Sequence, residues 1–189
     1  MTSKEQFEKI DLSDIWNALE DIAQERYESH HKDGEYVYPG TGRGTYEQIL
    51  SGVAGEAAAS WYCFGTYEFL DDHVWEEAGD DGWDLYCNGV NIDVKTTRYG
   101  YHAGVEPHFL IGAQDHFDKR ENKDVYVLIS VDVGSEEAKV IGGMPHDEVA
   151  SRCEWYSQGD AITEINIDEL EQANYVAHHR ELDPVNSLF

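Results

Sequence analysis

The chain has 189 residues, which fits one domain with helical extensions, and 41% of them are hydrophobic, enough to bury an ordinary core. It has no apolar run of about 18 residues or more, which argues against a transmembrane helix. Thirteen Lys and Arg stand against 39 Asp and Glu, giving a formal net charge of −26. The acids lie among normal hydrophobic segments, which excludes a disordered acidic protein.

This charge has two interpretations. A folded domain so acidic repels itself in dilute salt, and at roughly 1 M salt the Debye length shrinks to about 3 Å. We therefore expect a protein adapted to a halophilic cytoplasm, or to a virus that grows in one. The alternative is a DNA mimic whose carboxylates imitate phosphates. The first residues, MTSKEQFEKIDLSD, lack an apolar stretch of the signal-peptide type, so we expect a cytoplasmic location in a halophilic or infected host cell.

The chain begins with a predicted helix and a loop. Apolar side chains recur at helical spacing over residues 13–31. Residues 32–44, rich in Gly and Pro, predict a loop. Its PGTGRG sequence lacks the Lys-Ser/Thr ending of a phosphate-binding P-loop, so we interpret it as a connector and keep only Arg43 as a candidate phosphate contact.

A second helix is marked at both ends. Thr45 and Gln48 form a T-x-x-Q capping box, and Gly65 supplies a C-terminal stop. Glu56 is the one charged residue between Glu47 and Glu68, and it lies at the border of an apolar stripe. A carboxylate there is costly to desolvate unless another group pairs with it, so Glu56 is a candidate functional residue.

Residues 83–97 (WDLYCNGVNIDVKTT) predict a β-hairpin. Asn-Gly at positions 88–89 favours a two-residue type I′ turn, whose register places Asp84 opposite Asp93. Apolar residues then fall on one face of the hairpin. The other face carries Asp84, Tyr86, Asn91, Asp93 and Lys95.

The two opposed aspartates suggest a metal ion. Like charges directly across a ladder, with Cβ atoms about 4.5–5.5 Å apart, destabilise a sheet. A hard dication such as Mg²⁺ or Mn²⁺ held between Asp84 and Asp93 would remove that cost. Lys95, on the same face, is then suited to orient water or stabilise a developing phosphate charge. The competing interpretation is a solvent-facing polar strand with an incidental Asp pair.

The rest of the chain alternates strands and helices, which predicts an α/β layer arrangement. The patterns indicate a helix within 109–122, paired strands over 125–132 and 138–143, a short helix over 145–150, a strand over 162–167, and a helix starting near Asp168.

The hairpin and the helix before it resemble the PD-(D/E)XK, or restriction-endonuclease-like, nuclease superfamily in its small phage or halophilic form. The order of helical Glu56, hairpin Asp84 and the strand Asp93-Val94-Lys95 is the order of the family's motifs. This resemblance implies a mixed central β-sheet flanked by helices. It also implies hydrolysis of DNA phosphodiester bonds with Mg²⁺ or Mn²⁺ held by Asp84, Asp93 and the Val94 carbonyl. Glu56 would complete the shell and Lys95 would position the attacking water.

The resemblance covers a nuclease core over about residues 45–150. Residues 1–44 would form an N-terminal helix and loop, and 151–189 a C-terminal strand and helix extension of the same domain. Two positions depart from the family pattern. Trp83 stands before the first aspartate in place of Pro, and the acid of the last motif is Asp93 rather than Glu.

DNA binding by so acidic a chain needs a local basic surface, because phosphate affinity comes from Lys and Arg. Residues 95–123 hold five Lys and Arg against four Asp and Glu, a net of +1, which leaves −27 for the remainder. An ordinary surface explains this strip equally well. Candidate DNA contacts are Arg43, Arg98, Tyr99, Tyr101, Lys119 and Arg120.

A divalent-metal-dependent nuclease acting on DNA is thus our first hypothesis. No membrane contact is expected, and a homodimer is left open because dimers are common in the family. The second hypothesis is a non-catalytic acidic binding protein, either a DNA mimic or an inactive nuclease fold. Metal binding at Asp84 and Asp93 separates the two.

Overall fold

The computed structural model describes residues 7–30, 45–67, 83–98, 108–112, 116, 123–157, 160–162 and 173–189. Two long helices are α1 (Trp16–His30) and α2 (Tyr46–Phe64), and α3 (Val149–Arg152) is short. The strands are β1 (Glu8–Asp11), β2 (Leu85–Cys87), β3 (Val90–Thr97), β4 (His108–Gly112), β5 (Val125–Asp132), β6 (Glu137–Pro145), β7 (Glu154–Ser157), β8 (Asp160–Ile162) and β9 (Ala173–His178).

The signals at the ends of α2 are confirmed. The Thr45 hydroxyl accepts from the Gln48 N–H at 3.3 Å, and the Gln48 side chain accepts from the Thr45 N–H at 2.7 Å. These reciprocal bonds satisfy donors that a helix start leaves unpaired. Gly65 ends the helix with a φ of 69°, a left-handed conformation that costs glycine little.

The predicted hairpin is confirmed between β2 and β3. Asn88 and Gly89 both have positive φ, at 52° and 89°, as a type I′ turn requires. Leu85 pairs with Ile92, and Cys87 with Val90. The hairpin is one edge of a five-stranded sheet of order β1-β6-β5-β3-β2, in which β3 and β5 are parallel and the other neighbours are antiparallel.

One face of this sheet is covered by α1 and α2. Alternate residues of β5 point toward the helices and share a buried apolar cluster with them. The contact between α2 and β3 is close at Gly55, where an added Cβ would overlap the Thr96 side chain. A glycine there lets the helix backbone approach the strand that carries Asp93 and Lys95.

The other face is covered by a second, four-stranded antiparallel sheet of order β4-β9-β7-β8. Phe109 and Tyr175 from this sheet pack with Tyr126 and Leu128 of the first. The chain is therefore α/β with a mixed sheet, as predicted, but helices cover the first face and a sheet the second. The helix expected within 109–122 does not include 109–112, which belong to β4 and pair with β9, and the one other described residue of that range, His116, is helical.

Later elements agree with the sequence in part. β5 and β6 pair antiparallel across the turn near Gly134, where the Asp132 carboxylate accepts from two turn N–H groups. A 3₁₀ turn at His146–Glu148 leads into α3, and together they form the short helix that was expected to begin at Pro145. Only Ile162 of the strand expected over 162–167 is described, and the helix expected near Asp168 lies outside the described residues. Within the described ranges, none of the helices combines the length and hydropathy of a membrane span.

Candidate active site

Asp84 lies just before β2, where the hairpin ladder ends. The last paired residues are Leu85 and Ile92, and the Asp84 N–H donates to the Ile92 carbonyl at 2.8 Å. Its carboxylate Oδ2 accepts from the Val94 N–H at 2.6 Å. The predicted register is confirmed at the three paired positions, and the ladder ends one pair before the expected Asp84–Asp93 pair. The Asp84 side chain instead caps the edge of β3 where β2 no longer covers it.

Asp93 is buried, with 5% of its surface exposed, because the second sheet covers this face of β3. Its Oδ1 lies 2.8 Å from Lys95 Nζ, and its Oδ2 forms an ion pair with Lys123 Nζ. The Lys123 side chain is fully buried, whereas that of Lys95 is 24% exposed. A buried carboxylate between two bases is a charge-assisted arrangement that compensates its desolvation.

Glu56 also has a basic partner. Its two carboxylate oxygens accept from Arg26 Nη1 and Nη2, both at 2.8 Å, which is the bidentate geometry that arginine favours. Both side chains are mostly buried between α1 and α2. The partner that a carboxylate at this border needs is thus supplied by a base of α1.

Asp84 joins these two ion pairs electrostatically. Burial, then the negative charges of Glu56 and Asp93, raise the pKa of Asp84 well above its ordinary value, against smaller lowering effects of Lys95 and the Val94 N–H. The structure therefore brings the four predicted catalytic residues within electrostatic range of one another. Asp84 is the member whose charge is least compensated.

Sequence reasoning missed two members of this cluster, Arg26 and Lys123. With Lys95 they supply three positive charges against the three carboxylates of Glu56, Asp84 and Asp93, a formal sum of zero. A signal for Lys123 exists in the sequence: it stands two residues before a strand that is buried from Val125 to Val131. Arg26 has no comparable signal, because its partner lies on the next helix.

Tyr126 forms the floor beneath the two lysines. Its ring centroid is 5.2 Å from Lys123 Nζ and 5.8 Å from Lys95 Nζ, within the range of cation–π attraction. The Tyr126 hydroxyl lies 3.0 Å from His116 Nδ1, and the His116 ring stacks on His146 at 4.0 Å between centroids. The second face of the sheet therefore carries a buried polar and aromatic network next to Asp93.

The fit of these residues to a divalent cation is partial. Among the described residues there is no group of three or more His, Cys, Asp or Glu side chains arranged to hold a metal ion. Glu56 directs both oxygens to Arg26 and does not fit as a third ligand in this conformation. Asp84 fits, because one or two carboxylates with water are the usual Mg²⁺ set and a dication would relieve its uncompensated charge, whereas Asp93 fits once Lys95 leaves its Oδ1.

Of the predicted DNA contacts, Arg98 is described. Its Nη1 lies 2.8 Å from Glu47 Oε2, and the Glu47 side chain is 73% exposed. An exposed pair of this kind contributes little stability, so Arg98 can exchange Glu47 for another anion at small cost. The other five candidates lie outside the described residues: Arg43, Tyr99, Tyr101, Lys119 and Arg120.

Comparisons of the chain with family models, with curated proteins and with solved structures find no match.

Proposed function

We propose that the protein is a divalent-metal-dependent nuclease that hydrolyses DNA phosphodiester bonds and is adapted to high salt. The observation that carries the proposal is the position of Asp84, Asp93 and Lys95 around the middle of β3, where the Asp84 carboxylate accepts from the Val94 N–H and its charge is poorly compensated. Charged groups with perturbed proton affinity cluster at functional sites. The charge of −26 is the observation behind the salt adaptation.

In this proposal Asp84, Asp93 and the Val94 carbonyl hold Mg²⁺ or Mn²⁺. The ion would activate water and neutralise charge that develops on the phosphate. Lys95, partly exposed and beside Asp93, would donate to a phosphate oxygen or to the attacking water. Glu56 acts through its negative charge on Asp84, which increases the attraction of the site for a cation.

The test is a nuclease assay with plasmid and linear DNA in multimolar KCl, with Mn²⁺ or with a chelator. Asp93→Ala is expected to lose at least about a hundredfold in rate, since a metal ligand contributes more than its outer-shell partners do. Asp147→Ala, which removes an exposed acid from the 3₁₀ turn after β6, is the control and keeps full activity. Equal cleavage by Asp93→Ala and the unmodified protein would overturn the proposal.

A second candidate is a non-catalytic acidic binding protein with a nuclease-like fold. The observation in its favour is that Glu56 and Asp93 already pair with Arg26 and Lys123, so the cluster is neutral without a metal ion. This candidate predicts no Mn²⁺ binding by calorimetry. A binding isotherm that disappears in Asp84→Asn contradicts it and supports the nuclease.

A further inference from the structure

We propose that Lys123 is a positioning residue that holds one oxygen of Asp93 permanently, leaves the other oxygen to a divalent cation, and sets how tightly that cation binds. The inference rests on the proposed metal-dependent function and deepens it. It concerns a residue that no motif of the sequence marks.

Burial separates the two lysines that contact Asp93. The Lys123 side chain has no exposed surface, whereas Lys95 is 24% exposed at the rim. The fully buried Lys123 ammonium cannot exchange Asp93 for water or for an anion from solvent without leaving its buried position, so Lys123 stays on Oδ2. Lys95 can exchange Oδ1 for a phosphate or for water at smaller cost. The oxygen that a metal ion can take is therefore Oδ1.

Tyr126 contacts Lys123 next to Asp93. Asp93 and Tyr126 are direct neighbours in the parallel β3–β5 ladder, so their side chains leave the same face of the sheet side by side. The Lys123 ammonium lies 5.2 Å from the Tyr126 ring centroid while it pairs with the Asp93 carboxylate. The tyrosine is itself held, with its hydroxyl 3.0 Å from His116 Nδ1. This support fixes the rotamer of Lys123 and, through it, that of Asp93.

The consequence for metal binding has a definite sign. A fixed positive charge on one oxygen of a ligand opposes a dication on the other oxygen, and this opposition is strong where water is excluded. Removal of the Lys123 charge should therefore tighten metal binding. A residue that only supports the fold has the opposite effect, because its loss loosens Asp93 and weakens the site.

The experiment is a calorimetric Mn²⁺ titration of the full chain in multimolar KCl. Lys123→Met keeps the length of the side chain and removes its charge, and we expect it to bind Mn²⁺ at least about tenfold more tightly. Lys123→Arg keeps the charge and should leave the affinity within about threefold of the unmodified protein. Lys9→Met is the matched control, since Lys9 is 53% exposed and pairs with Glu137, the first residue of β6.

A second measurement covers loss of folding. Lys123→Met leaves Asp93 with less positive charge, so its thermal transition should fall in chelator and recover on addition of Mn²⁺, by more than that of the unmodified protein. No recovery, or affinity equal to or below that of the unmodified protein, overturns the role of Lys123. The nuclease proposal survives a failed Lys123 prediction if the unmodified protein binds Mn²⁺ and Asp84→Asn abolishes that binding. Absence of Mn²⁺ binding in the unmodified protein contradicts both.

Discussion

The two faces of the five-stranded sheet are built from alternate residues of the same strands, yet they hold different chemistry. Toward α1 and α2, β5 presents Val127 and Ile129 to an apolar cluster. Toward the second sheet, the intervening Tyr126 belongs to a network of histidines and lysines beside buried Asp93. A period of two therefore separates a packing surface from a candidate reaction site within one strand.

A strand face that carries polar residues is therefore not always exposed to solvent. The hairpin alternation suggested a face of charged residues, and Tyr86 near the turn is indeed 58% exposed. Asp93 lies two residues along β3 from the ladder partner of Tyr86, and it is buried because β4 packs against this strand. Stability of the second face should thus depend on polar and aromatic contacts, and stability of the first on close packing.

The largest expected effect is at Tyr126, because its substitution removes the buried aromatic ring that contacts both lysines on the second face. Tyr126→Leu should lower the free energy of unfolding by about 2–4 kcal/mol, through lost packing and lost cation–π contact with the lysines. Tyr126→Phe keeps the ring and leaves His116 Nδ1 without the hydroxyl, at about 1–3 kcal/mol. Urea unfolding in multimolar KCl measures both.

The control for Tyr126 is Tyr86→Leu, at an exposed position of the same sheet, with an expected change within about 0.5 kcal/mol. Similar losses at both tyrosines would mean that the buried network does not stabilise this face. The stability of both faces would then depend on buried area alone, with no added contribution from polar contacts on the second face.

The next effect is on the helix-covered face, at Gly55. An added Cβ would overlap Thr96 Cγ2, so Gly55→Ala should cost about 1–3 kcal/mol of stability despite the better helix propensity of alanine. Gly52, one turn earlier, has no atom within 4 Å of an added Cβ, and Gly52→Ala should stabilise by about 0.5–1 kcal/mol.

A double variant makes the Gly55 prediction specific. Thr96→Ser removes the overlapping methyl group, so Gly55→Ala with Thr96→Ser should regain most of the stability that Gly55→Ala loses. Chemical denaturation of the four proteins gives the coupling energy. A coupling near zero would show that α2 does not rest on β3 at this point.

The features that could be predicted from the sequence are those that depend on contacts between residues close together in the chain. The caps at Thr45 and Gly65 and the turn at 88–89 are local, and the sequence predicted them correctly because each depends on neighbouring residues. The ladder register was correct for every paired residue, but the sequence did not predict that the ladder ends at Leu85, because the end of a ladder depends on what covers the strand edge.

The pairs around the candidate site could not be predicted. Arg26 and Glu56 are 30 residues apart, as are Lys123 and Asp93, and no sequence periodicity links them. The second sheet was missed for the same reason, since β4 pairs with β9 about 70 residues later in the chain. The sequence therefore indicated the carboxylates and Lys95, and the structure adds Arg26 and Lys123, the buried basic residues that pair with two of those carboxylates.

The smallest expected effect at the candidate site is at Asp84, where Asp84→Asn should stabilise the metal-free protein by roughly 0.5–2 kcal/mol. Asparagine keeps an oxygen to accept from the Val94 N–H and removes a carboxylate that burial, Glu56 and Asp93 disfavour. Gain of stability on loss of a functional group is expected where a site holds an uncompensated charge.

The pH dependence of that gain follows from the sign of the shift. The pKa of Asp84 is raised in the folded state, so the folded protein binds this proton more tightly than the unfolded chain does. Protonation stabilises the unmodified protein fully below the unfolded value of about 4, and this contribution is lost as pH rises through the folded pKa. The advantage of Asp84→Asn should therefore be largest at neutral pH and shrink on acidification. Thermal unfolding between about pH 4 and 8 in chelator and multimolar KCl measures the difference, and an advantage that grows on acidification would show that Asp84 is already compensated without a metal ion.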